Sequence, residues 1–263
     1  MNQFPVLVGA LRYEFHMQFH RRAVWITMIV LGLLLAFLLT RHNGLNDVLM
    51  FLNSPSLPAA VAYWADMVNF AILPIGIGVL LADRLPRDTR TKVHELFTSL
   101  PGSLSMRLLG KYLGSTLATL LPMFAFYCIG IGYILVHTHN LLTIPLALAA
   151  FATIILPGIL FIGAFSIACP AIMWVPLYQF LYIGYWFWGN ALFPGSGIPT
   201  LNGTILTPIG GYMSLGFFGA HFFFPVEHAT ALQALESMLL LLGITILVIS
   251  VLPRFLEWQQ ARQ

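Results

Sequence analysis

Between Ala23 and Thr40 the chain runs without one charged side chain, and the stretches 61–82, 108–136, 143–165, 171–190 and 231–252 are nearly as apolar. Each is close to the roughly 20 residues that an α-helix needs to cross the hydrocarbon core of a bilayer. The expectation is an all-α polytopic membrane protein with six transmembrane helices. Composition agrees: 59% of residues are hydrophobic and 8% charged, against roughly 25% charged in an ordinary soluble domain. Little is left over for a water-soluble unit, so 1–263 reads as a single transmembrane domain. About 22 residues precede the first apolar run, and "LLTRHNG" after it lacks a small-x-small cleavage pattern, so that run reads as a retained anchor.

The apolar region from Leu141 to Phe193 is too long for one helix. Pro170 has no amide hydrogen to donate and disfavours helix at the residue before it, which places a tight turn in "SIACPAIMWVP". A seventh span over 197–224 is rejected, because that stretch is rich in Gly and Pro and would move Arg254 and Arg262 to the opposite side. With six spans, eleven of the twelve basic residues share one face and Arg41 alone lies on the other. By the positive-inside rule the basic face is expected to be cytoplasmic, with both termini; the expected location is a plasma (bacterial inner) membrane. The same bias accounts for a pI near 9.0 without a nucleic-acid partner.

Three segments lie outside the spans. Leu7, Leu11, Phe15 and Phe19 recur every fourth residue over 4–20, predicting an amphipathic helix with that stripe in the acyl boundary and Arg21 and Arg22 near lipid phosphates. The outer region 191–230, broken by Pro194, Pro199, Pro208 and Pro225, is too apolar for a free loop and predicts short re-entrant or interfacial helices. Between spans two and three, Val93, Leu96, Phe97 and Leu100 fall on one helical stripe, capped by Asp88 or Thr89 and stopped by Pro101-Gly102. A helix over 88–100 is marginal alone and needs a membrane surface or a partner's cleft to hold it.

The chemistry is mostly negative. Gly110-Lys111 is not a Walker A loop, because Ser105 and Tyr112 stand where that motif needs Gly and Ser or Thr. No HExxH or GxSxG pattern occurs. The chain is therefore not expected to be an enzyme by itself. Asp66 is a carboxylate inside a span, which suggests function, although an acid near a helix end can also snorkel. Asp66 and Asn69, with Tyr178, Gln179 and Tyr182 of span five, are the candidate transport-path residues; helix packing and interfacial aromatic belts explain the same residues equally well. Pro74, Gly76 and Gly78 should loosen span two. His221, Glu227 and His228 have metal-ligand chemistry, but nothing in their spacing makes them converge, so no metal is expected. Cys128 and Cys169 read as small core residues.

The stretch "ADRLPRDTRTKVHELFTSLPGSLSMRLLGKYLGS", 82–115, resembles the first inner loop of the permease subunits of ABC-2-type transporters. There a polar stretch leads into E-L-[L/F]-x-[S/T]-x-P and then a GK opening span three; here these are Glu95-Leu96-Phe97-Thr98-Ser99-Leu100-Pro101 and Gly110-Lys111. The chain departs from the pattern at Asp88-Thr89-Arg90, where an acidic-Gly pair is usual. The resemblance implies that 88–100 is a coupling helix, with Arg90, Lys92, Val93, His94, Glu95, Leu96, Phe97 and Thr98 contacting a separate ATPase subunit. It also implies two ATPases that carry ATP and Mg, a second permease copy or a homologous permease, and no cofactor in this chain. The expected function is ATP-driven export of a hydrophobic or amphipathic substrate. The alternative is a membrane scaffold or sensor that recruits a cytoplasmic partner through the same loop.

Overall fold

The computed structural model describes residues 3–41, 56–70, 72–90, 103–192, 194–221, 226 and 228–261. All regular structure among them is helical. In chain order the helices are α1 (Phe4–Phe19), α2 (Arg22–Arg41), α3 (Leu57–Phe70), α4 (Leu73–Leu81), α5 (Arg84–Arg90), α6 (Leu104–Thr138), α7 (Thr143–Ala171), α8 (Val175–Trp186), α9 (Gly211–Phe218) and α10 (Ala231–Gln260). Helices α6, α7 and α10 are each long and apolar enough to cross a membrane, and the number rises to five if the bent pairs α1–α2 and α3–α4 each count as one span. This is the construction of a membrane protein, with three to five candidate spans where six were expected. The segment expected as span five is α8, extended by a π-turn over Phe187–Ala191. It is shorter than the others, because Pro170 sits in a tight turn over Cys169–Ala171 and helix resumes only at Val175.

Local chemistry explains the boundaries. Ser103 caps α6 by accepting from the Met106 amide. Thr230 and Gln233 form a reciprocal capping box at the start of α10, satisfying backbone donors that a helix leaves open. At Pro74 the ring nitrogen cannot donate to the carbonyl of Phe70, four residues back. The axis bends by 44° there, and the Trp186 indole takes the Phe70 carbonyl at 3.4 Å. Tyr182 donates to the Pro74 carbonyl at 2.9 Å, and Gln179 to the Val79 carbonyl at 3.2 Å. One stripe of α8 therefore supplies hydrogen bonds to the broken span. Gly78 makes this possible, since a Cβ there would overlap the Tyr182 ring.

Two expectations need correction. Helical backbone runs from Arg84 through Asp88 and Thr89, so neither of those residues caps a helix start. Helix α1 has the predicted limits, but its inward face does not lie in lipid. It is buried against α6, where Gly110 and Gly114 let two backbones approach. A Cβ at Gly110 would stand 2.9 Å from the Leu7 carbonyl oxygen, and one at Gly114 2.5 Å from that of Leu11. Such a small-xxx-small pair suits helix contact where lipid leaves no hydrophobic drive between helices. Phe4, Val8 and Tyr13 are the exposed large hydrophobic side chains of α1. The outer region holds α9 and a series of turns, packed onto α3 and α10 rather than free. Gly158 admits this segment, because a Cβ there would collide with the Pro208 carbonyl oxygen.

Candidate functional site

Glu14 and Gln18 lie one helical turn apart on the face of α1 that meets α6, and both are buried. A carboxylate there needs partners, since an unpaired buried charge is strongly destabilising. It has three. Arg84, the first residue of α5, donates Nη2 to Glu14 Oε2. Lys111 Nζ stands 3.4 Å from Oε1, and Ser115 donates to Oε2 at 3.3 Å. Arg84 is only 1% exposed, and its Nε and Nη1 have no hydrogen-bond partner among the described residues. One carboxylate thus serves two buried cations. Lys111 is turned inward to α1. The GK that resembled a nucleotide loop therefore has a structural use: Gly110 admits α1, and Lys111 neutralises part of what α1 brings.

A second contact joins α1 to the same region. Gln3 Oε1 accepts from the backbone amide of Ser103 at 3.1 Å and from its hydroxyl at 3.3 Å. Arg84 and Ser103 flank the segment between α5 and α6 on its two sides. Both roots of the loop are therefore fastened to one helix, near its two ends.

The elbow between α1 and α2 turns by 60°. The Trp25 indole braces it by donating to the Phe19 carbonyl at 2.7 Å. Arg21 sits in the elbow with Asp83 Oδ2 at 3.8 Å. Burial, then the neighbouring Arg87 and Arg84 cations, hold the Arg21 guanidinium below the ordinary arginine range, while Asp83 acts in the opposite sense.

Of the expected loop contacts, Arg90 ends α5, while Lys92, Val93, His94, Glu95, Leu96, Phe97 and Thr98 lie outside the described residues. The transport-path candidates are all described. Asn69 donates its amide to the carbonyls of Pro208 and Ile209, at 3.0 and 2.7 Å, and more distantly to that of Ile154. Tyr178 shares a 2.8 Å hydrogen bond with Ser166. Gln179 and Tyr182 are engaged with the broken span as described. These four spend polar groups on holding the bundle together. Asp66 differs: it is wholly buried, not snorkelling, and among the described residues the Ser214 side chain is the hydrogen-bonding group beside its carboxyl. Asp66→Leu should change the melting temperature in detergent little, because an apolar replacement removes a buried carboxyl while Ser214 keeps its backbone acceptors. Loss of transport in a folded Asp66→Leu protein would place Asp66 on the path; unchanged transport would remove it.

Among the described residues no three His, Cys, Asp or Glu side chains gather as a metal site, and Glu227 lies outside those residues. The Cys169 side is half-buried, but Cys128 is exposed on α6 rather than placed in the core, and neither is in a disulfide. Composition and periodicity gave no hint of the Glu14 cluster. The Gly110-x-x-x-Gly114 spacing was the available signal, since it marks a helix contact and an acid four residues from a buried glutamine faces it.

No protein-family model matches this chain, and no curated protein matches it.

Proposed function

We propose that this chain is the permease subunit of an ATP-driven exporter of the ABC-2 type, working with a separate ATPase. The observation that carries the reading is the double fastening of the inner loop to α1, through Arg84–Glu14 on one side and Ser103–Gln3 on the other. A loop tied at both roots to one helix transmits a push to that helix instead of absorbing it by bending. Buried ion pairs and close-packed helices make a stiff connection, because well-packed interiors transmit strain.

In this reading the membrane domain has six spans and cytoplasmic termini in a bacterial inner membrane. Residues 88–100 form the coupling helix, with Glu95, His94, Arg90, Lys92 and Thr98 making polar contacts to the ATPase, and Val93, Leu96 and Phe97 facing its groove. Two ATPases hold ATP and Mg, and a second permease completes the pathway. Closure of the ATPases moves the loop, α1 follows through Glu14, and the elbow at Arg21 passes the motion to α2. The bend at Pro74, held by Tyr182, Gln179 and Trp186, is where span two changes shape as the path opens outward. The substrate is hydrophobic or amphipathic, with Asp66 and Asn69 near the path's outer end and Tyr178, Gln179 and Tyr182 beside it.

Purification from native membranes in mild detergent tests the reading. A co-purifying ATPase with vanadate-sensitive turnover supports it. A stable complex that contains a cytoplasmic partner but no ATPase supports the scaffold instead.

A further inference from the structure

Asp66 and Asn69 stand three residues apart on α3, so they share one face of that helix, and both are wholly buried. That face meets one short segment of the outer region. Asn69 donates its amide nitrogen to the carbonyls of Pro208 and Ile209, and the Ser214 hydroxyl on α9 stands beside the Asp66 carboxyl. Gly210, at φ 102°, turns the chain between those two contacts. On a third side lies Ile154, in the π-turn Phe151–Ile155 of α7, its carbonyl 3.4 Å from the Asn69 nitrogen. Single π-turns within α-helices recur at functional sites.

These side chains supply more acceptors than donors. Because the Asn69 nitrogen is committed to carbonyls, the orientation of the amide is fixed. Its Oδ1 is wholly buried and has no hydrogen-bond partner among the described residues. Ser214 has one hydroxyl hydrogen, for which the carbonyls of Gly211 and Ala220 compete at 3.2 and 3.5 Å. A carboxylate offers two oxygens with about four lone-pair sites, more than one contested hydrogen satisfies. The charge is not met either, since no described cation forms an ion pair with Asp66. Of the elements packed on α3, α4 and α7 carry no Asp, Glu, Lys, Arg or His. Helix α6 carries Arg107, Lys111 and His137 near its two ends. The phenols of Tyr127 and Tyr212 are spent on the carbonyls of Ala147 and Gly203.

Buried oxygen in surplus, with one negative charge uncompensated, calls for a bound positive charge. Carboxylate, amide and hydroxyl oxygens are hard ligands and suit a hard cation. One carboxylate balances one charge, so a monovalent ion leaves the surroundings neutral and a divalent ion does not. We propose that Asp66, Asn69 Oδ1 and the Ser214 hydroxyl form a binding site for a monovalent alkali cation, tested here as sodium. The ion neutralises α3 and clamps α9 onto it, so the salt around the protein sets how firmly the outer region is seated. The site rests on burial and oxygen chemistry, and its test involves no ATPase. Its failure is therefore distinct from failure of the exporter reading.

The test uses the purified full chain in detergent and dicyclohexylcarbodiimide, an apolar reagent that adds to a protonated carboxyl and not to one held by a metal ion. Sodium chloride is exchanged for choline chloride at equal ionic strength, and the adduct is located by peptide mass spectrometry. Sodium at about ten times its dissociation constant should slow the labelling of Asp66 about 10-fold, by mass action. Ser214→Ala should need several-fold more sodium for the same protection while still being labelled in choline. Sodium should also raise the melting temperature of wild type, and Asp66→Asn, uncharged and close in shape, should lose that rise. Equal labelling in the two salts would show that Asp66 holds a proton alone and would overturn the proposal. Absence of labelling in both would show that another group of the chain holds the carboxylate, with the same consequence. Protection by calcium and not by sodium would overturn the monovalent assignment.

Discussion

Glu14→Ala should destabilise the membrane domain by about 3–5 kcal/mol, the cost of leaving buried charges without their counter-ion. The substitution removes the one carboxylate shared by Arg84 and Lys111, both almost wholly buried, and strands the Ser115 hydroxyl as well. Thermal unfolding in detergent measures it, with a large drop in melting temperature expected. Replacing the cluster together, as Glu14→Leu with Arg84→Met and Lys111→Met, should recover most of the loss. Apolar groups of similar size make no demand for partners, and substitution of whole buried ion networks is often neutral or better. That triple protein then separates stability from function. If the charges serve only to fold the domain, it should transport normally. If they transmit the motion of the loop, it should fold and transport poorly.

If the chain is the proposed permease, Glu95→Ala with Phe97→Ala should abolish its stimulation of a partner ATPase while the protein stays folded and membrane-inserted. The expected effect is large because interface energy concentrates in a few well-packed anchors, and an aromatic side chain beside a charged one fits that pattern. The measurement is ATP turnover in reconstituted vesicles, with membrane insertion checked by protease protection of the termini. Full stimulation by the double variant would remove 88–100 from the coupling role.

The broad architecture was legible because apolar length is a one-dimensional signal. The ends of α2 and α6 fall close to the predicted spans 23–40 and 108–136, and α10 starts where the span 231–252 was expected but runs on to Gln260. Pro170 announced its turn for the same reason, since a missing amide acts locally. Pro74 announced the break but not its repair. The donors that meet the carbonyls of Phe70, Pro74 and Val79 are Trp186, Tyr182 and Gln179, 100 or more residues later in the chain, and only tertiary packing pairs them. The role of Glu14 was not legible for a related reason. On a helical wheel it joins Arg12, His16 and His20 as polar surface, and nothing local reveals that two buried cations await it. Periodicity tells which residues share a face, but not what that face will meet. Four of the five transport-path candidates show the same limit: polar side chains inside a span looked functional, and Asn69, Tyr178, Gln179 and Tyr182 are engaged in holding helices and turns in place.

The central claim is that an ATPase grips this chain through its inner loop. A photo-crosslinking amino acid placed at Phe97 tests it in native membranes, with the captured partner identified by mass spectrometry. The account predicts a crosslink to a protein bearing a Walker A sequence, weakened when ATP and vanadate lock the ATPase in a different state or when Glu95 is also replaced. A crosslink to a protein without a nucleotide-binding motif, or labelling of lipid alone, would contradict it.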